Sequence, residues 1–147
     1  MNVIVDTNIV FSALLKSDSK IAKILTDNKS KIKFISSNHL LLEIKNHKNK
    51  LLTITGLTNK EFNKILKIIT SNIHFLDNDI IEKISFTKAT LLVDDIDIDD
   101  VYFVAFAIQL NAFLWTGDKI LSRGLKAKNF NKVITTQELY QYTYKKI

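Results

Sequence analysis

The sequence predicts a single α/β domain, a three-layer α/β/α sandwich around a mostly parallel sheet of about five strands. Two observations carry this. Short β-branched and aromatic runs alternate with longer helical stretches along the chain, the order that βαβ units impose. And 147 residues without proline and with three glycines hold no linker, repeat or low-complexity tract, so the alternation belongs to one unit.

The expected strands are Asn2 to Val5, Lys33 to Ser36, Ile73 to Leu76, Phe113 to Thr116 and Lys132 to Thr135. The expected helices are Asn8 to Leu15, Lys20 to Asp27, Asn38 to Leu51, Asn59 to Ser71, Asp79 to Val93, Asp100 to Leu110 and Gln137 to Lys145. Such sheets place their ligands beyond the carboxyl ends of the strands.

Composition narrows the chemistry. With no cysteine, disulfides, thiolate zinc sites and cysteine nucleophiles are excluded, and any metal must sit on oxygen or histidine. The opening MNVIVDTN lacks the basic and apolar regions of a secretory signal, and the longest apolar run, Val101 to Ile108, falls short of the roughly 18 residues of a membrane span. A soluble cytoplasmic protein without a membrane partner is expected. A net charge of +6 suits a polyanionic partner, although a lysine-rich, isoleucine-rich chain also follows from biased codon supply.

Four acidic positions stand out. Asp6 follows the apolar strand Val3-Ile4-Val5 and sits where a site belongs, or where an N-cap belongs. Glu43 lies about 60° around its helix from Leu40, at the border of the apolar stripe, facing either a cleft or solvent. Five of the seven residues Asp94 to Asp100 are aspartates, which repel one another unless a cation neutralises them or water screens them. Asp118 follows the fourth strand and Gly117, repeating the placement of Asp6.

With VIVDTNIVFSALL at the start, SSNHLLLEI around Glu43, DIDIDDVYFVAFAIQLNAFLWTGDKIL and the late VITTQEL, the sequence resembles the PIN-domain ribonucleases over nearly its whole length. The resemblance is strongest to the toxin components of bacterial and archaeal toxin–antitoxin pairs. It implies that Asp6, Glu43, Asp100 and Asp118 form a metal pocket, with Asn8 and Thr116 as supporting polar residues and with Asp97 or Asp99 assisting or replacing Asp100. It further implies Asp6 as the central ligand, Glu43 and Asp100 beside it, and Asp118 acting at a second ion or through water. The sequence departs from the family at Ile98, where proline is usual.

An all-oxygen site suits Mg²⁺ or Mn²⁺. The expected activity is metal-dependent hydrolysis of RNA phosphodiester bonds, with an antitoxin protein and often a homodimer as the implied partners. Lys60, Lys64 and Lys67 on one helix, and Lys119 and Arg123 after Asp118, are the expected RNA-binding residues. Lys45, Lys48, Lys50, Lys126 and Lys128 extend this positive supply. Three other readings stay open. A catalytically silent PIN-like binding module keeps the fold without the chemistry. A haloacid-dehalogenase-type enzyme wants an acid where Asn8 stands, and a receiver-type domain wants paired acids after the first strand.

Overall fold

The computed structural model describes residues 1–144. Five parallel strands form one sheet: β1 (Asn2–Val5), β2 (Lys33–Ser37), β3 (Ile73–Leu76), β4 (Phe113–Trp115) and β5 (Val133–Ile134), in the spatial order β3-β2-β1-β4-β5. The chain winds outward from β1 through β2 to β3, then returns to the other side of β1 to lay down β4 and β5. The gap between the ends of β1 and β4 is therefore the switch point at which such sheets open a crevice. The three-layer α/β/α sandwich is the architecture found.

One face is covered by α1 (Thr7–Leu15), α2 (Lys20–Thr26), α3 (Asn38–Thr55), α4 (Asn59–Thr70) and α8 (Thr136–Tyr144). The other is covered by α5 (Lys83–Val93), α6 (Val101–Gln109) and α7 (Lys119–Ala127). Because both faces are covered, β1 and β4 read as apolar runs, and Val3, Ile4, Val5, Leu114 and Trp115 are fully buried. Ala105 and Ala107 of α6 are buried as well, and their small side chains let that helix lie close to β1, β2 and β4. The Phe34 and Trp115 rings meet at 5.9 Å under the opposite layer, and the Trp115 indole N–H donates to the Thr136 hydroxyl at 3.0 Å.

Several expected boundaries move for identifiable reasons. The helix expected from Asp79 to Val93 is split into a 3₁₀ turn, Asn78–Ile80, and α5. Gln109 at the end of α6 takes the backbone groups that a continuous helix would use: its amide donates to the Ile80 carbonyl at 2.9 Å and accepts the Glu82 N–H at 2.7 Å. Helix α3 runs a turn past Leu51 and stops at Gly56, whose φ of +70° is the left-handed C-cap open to glycine. The last strand shrinks to two residues, because Thr135 opens a capping box with Glu138 for α8. The expected end of that helix at Lys145 lies outside the described residues.

Candidate active site

Parallel pairing in register, with Val5 opposite Trp115, puts Asp6 and Thr116 side by side where the two central strands end. Asp6 is 3% exposed, and its Oδ1 accepts the Ile9 N–H at 3.1 Å, so the N-cap reading and the site reading hold together. The buried Thr116 hydroxyl donates to the Asp6 carboxylate and its oxygen accepts the Asp118 N–H at 3.1 Å. One threonine thus ties the two strand-end aspartates together. Asp118 caps α7 through the N–H groups of Ile120 and Leu121, at 3.0 and 3.1 Å.

Glu43 reaches the same place from α3, which starts at β2 with Ser37 as its cap. Its Oε1 accepts the Thr7 hydroxyl at 2.6 Å and lies 3.4 Å from His39 Nε2, one turn earlier on the same helix. The His39 ring in turn packs against Tyr102, with centroids 5.0 Å apart. Thr7 and His39 were not among the expected site residues. The only sequence signals for them are the threonine directly after Asp6 and the i, i+4 spacing of His39 and Glu43, both of which occur freely in helices without a site.

The acidic segment comes from the opposite layer and is anchored on α7. Lys128 donates to the carbonyls of Leu91 and Leu92, the latter at 2.9 Å, and pairs with Asp95. This lysine belongs to the scaffold, not to the free positive surface. Ile96 sits against Gly124, where an added Cβ would run into the end of the Ile96 side chain. Beyond this clamp, Asp97 caps the 3₁₀ turn Ile98–Asp100 by accepting the Asp99 N–H at 3.0 Å. Asp100 stands at the N-cap of α6 but makes no side-chain cap bond. Its carboxylate is left half-buried and free of backbone duty.

Asp6, Thr7, Asn8, Glu43, Asp97, Asp99 and Asp100 together line one cleft of about 100 Å³, and among the described residues no lysine or arginine lines it. Asp118 is not in that lining, but its charge acts on both Asp6 and Asp100. Burial pushes the Asp6 carboxyl up to about 6, against the hydrogen bonds from Thr116 and Ile9, with Asp118 and Glu43 adding repulsion. Burial, then the charges of Asp6, Asp97, Asp118 and Glu43, push Asp100 up to about 7. Among the described residues no three carboxyl or imidazole groups are yet drawn together at the spacing of a closed cation site. The donor set itself, all carboxylate and amide oxygen with uncompensated negative charge, suits a hard divalent cation.

The family model described as the PIN domain matches residues 4–142. The chain belongs to the PIN domain family. Among solved structures it is similar to the crystal structure of VapBC2 from Rickettsia felis bound to a DNA fragment from their promoter, at 19% identity and a TM-score of 0.67, covering 92% of this chain and 97% of that one. At that identity the likeness is one of fold. No curated protein matches the chain significantly. PIN membership sets aside the dehalogenase and receiver readings, whose acid pairs this site lacks.

The expected basic residues separate into two groups. Lys60, Lys64 and Lys67 are exposed on α4, which packs on α1 and α2 and buries Phe62 and Ile69. None of the three lines the acidic cleft. Lys48 crosses to α4 and donates to Asn63 at 3.0 Å. Lys119 and Arg123 line a separate depression beside Thr116 and Gly117.

Raised carboxyl pKa values fix a direction for stability. The folded chain holds protons on Asp6 and Asp100 that the unfolded chain, near 3.8, has released, so this contribution is complete below about 3.8 and is lost as pH climbs through about 6 and about 7. In EDTA, the melting temperature of wild type relative to Asp100→Asn should therefore fall between pH 4 and pH 8. Asp100→Asn should melt no lower than wild type at pH 8, and a large drop on thermal melting would instead make Asp100 a structural cap. At the clamp, Gly124→Val should cost about 1–3 kcal/mol by overpacking against Ile96. Adding Ile96→Ala should recover most of that loss in denaturant titrations, and strict additivity of the two changes would rule the contact out.

Proposed function

We propose that this PIN-domain chain is a metal-dependent endoribonuclease and the toxin of a toxin–antitoxin pair. The observation that carries the reading is the convergence of Asp6, Glu43 and Asp100, from three separate elements, on one cleft at the switch point, with Asp118 beside them and no cation in the lining. Four acids kept this close, two of them against a burial penalty, have no use in a fold that needs only stability.

Asp6, Glu43 and Asp100 would hold Mg²⁺ or Mn²⁺, with Asp97 or Asp99 in support, and Asp118 acts at the outer side. When bound, such an ion lowers the pKa of a coordinated water and neutralises charge on the leaving oxygen. The chain's own residues do the rest. Thr116 orients Asp6 and steadies the backbone of Asp118, Thr7 and His39 fix the rotamer of Glu43, and Asn8 presents an amide at the rim. The Lys128 and Ile96 clamp keeps the acidic segment from swinging into solvent.

RNA is drawn in by the exposed cations around this centre, Lys60, Lys64 and Lys67 on α4 and Lys119 and Arg123 on α7. The partner reading rests on the family resemblance and on the similar fold of VapBC2 from Rickettsia felis bound to a DNA fragment from their promoter. An antitoxin covering the cleft, and a homodimer, are proposed on that basis. A cytoplasmic site of action follows from the same reading, and no described helix is long and apolar enough to cross a membrane.

Purified protein should cleave single-stranded RNA in Mg²⁺ or Mn²⁺ and stop in EDTA; cleavage that persists in EDTA would sink the metal-dependent reading. Asp6→Asn should lower turnover by two orders of magnitude or more, by analogy with the roughly 10²–10³-fold cost of removing a single electrostatic stabiliser. Wild-type turnover in that variant would remove Asp6 from the centre. Changing Lys60, Lys64 and Lys67 together to Gln should weaken RNA binding and flatten its dependence on salt. An unchanged slope would show that α4 faces away from the substrate.

A further inference from the structure

Beside the acidic cleft, between α7 and the start of α8, lies a depression of about 390 Å³. That is within the roughly 300–1,000 Å³ of small-ligand sites. Its surface is mostly carbon, and three cations stand on it: Lys119, Arg123 and Lys126. Their i, i+4, i+7 spacing places them on one side of α7. Among the described residues none of the three enters an ion pair. The lining hydroxyls of Thr135 and Thr136 each accept one bond, in the α8 capping box and from the Trp115 indole, and keep a proton to donate. Ser122 and Gln137 also line the depression and offer polar side chains to a visitor.

The depression is not isolated. A second hollow of about 280 Å³ shares Asn8 with the acidic cleft, and shares Gly117 and Thr136 with the cationic depression. A trough therefore runs from the carboxylates, past Asp118, to the α7 cations. An acidic centre repels a polyanion, so a strand lying across it must be held by its neighbouring phosphates, and this trough leads to cations with no other partner.

Building on the ribonuclease reading, we propose that the depression seats a nucleotide flanking the scissile bond. Arg123, Lys119 and Lys126 hold its phosphate. The base lies against the carbon-lined floor, where the Gln137 amide and the Ser122 hydroxyl meet its edge. Single-stranded RNA is recognised in this way, through splayed bases whose edges are free to hydrogen-bond. The fold then carries a base preference at a fixed distance from the cut, set by α7 and α8 and independent of the metal ligands.

The test uses the full chain in two forms. With Asp6→Asn protein, binding of fluorescein-labelled single-stranded RNA is followed by anisotropy over a range of salt. Adding Arg123→Gln and Lys126→Gln should reduce the slope of log Kd against log salt by up to about 0.7, the one phosphate contact they share with Lys119. With otherwise wild-type protein, cleavage of a randomised RNA pool is mapped by sequencing. Gln137→Ala should erase or change the base preference at one position on one side of the cut. The Arg123, Lys126 and Gln137 side chains are exposed, so these substitutions should leave the melting curve of the protein that carries them unchanged. Cleavage with an unaltered slope and an unaltered preference would overturn the site and leave the ribonuclease reading standing. A reduced slope without cleavage in any divalent ion would do the reverse. No binding of RNA by the Asp6→Asn protein would remove both.

Discussion

The parallel pairing of β1 with β4 is the contact on which the rest of the site depends. It joins the first strand of the chain to the fourth, and it sets their ends level, so that Asp6 lies beside Thr116. From that single register follow the hydrogen bond that restrains Asp6, the backbone bond that starts α7 at Asp118, and the nearness of two negative charges. A shift of one residue would turn Thr116 to the opposite face of the sheet and leave Asp6 buried without its hydroxyl partner. The apolar side chains of both strands, buried against helices on two faces, hold the register against that shift.

Charge is distributed unevenly around this edge. The chain carries +6 overall, yet among the described residues no lysine or arginine lines its acidic cleft. Among the described residues Lys128 is the lysine paired with the aspartate-rich segment, and it binds Asp95 at the far side, leaving Asp97, Asp99 and Asp100 without an ion pair. Neutralising the cleft with a lysine would have been the simpler way to stabilise the fold. Instead the acids are kept ionisable and restrained by hydroxyls and backbone N–H groups, which orient a carboxylate without cancelling its charge.

Much of this was legible in the sequence because two strong local signals coincide with tertiary position. An apolar run ending in aspartate names both a buried strand and its carboxyl end, which is how Asp6 and Asp118 were found. Glu43 was visible as an acid at the edge of a helical stripe. What stayed hidden depends on contacts between distant segments. Thr7 meets Glu43 across 36 residues, and the Gln109 amide that interrupts the helix expected from Asp79 acts from the next helix. Lys128 read as free positive charge because nothing local tells a lysine that caps the carbonyls of a remote helix from one in solvent. The different cap duties of Asp97 and Asp100 also depend on the fold: Asp97 caps the 3₁₀ turn, whereas Asp100 makes no cap bond.

The strand order also governs when the cleft can exist during synthesis. β1 leaves the ribosome first, yet its partner β4 begins at Phe113, after both the outer strands β2 and β3 and the whole acidic segment. Non-local pairings of this kind pay their loop-closure cost late. A nascent chain that has emerged only through α6 already carries Asp6, Glu43 and Asp100 but has neither Thr116 nor Asp118 to complete their arrangement. Assembly of this edge is thereby postponed until β4 and the residues that follow it, as far as Asp118, have been made. Translation that stalls or terminates early leaves fragments holding most of the acids without the framework that aligns them.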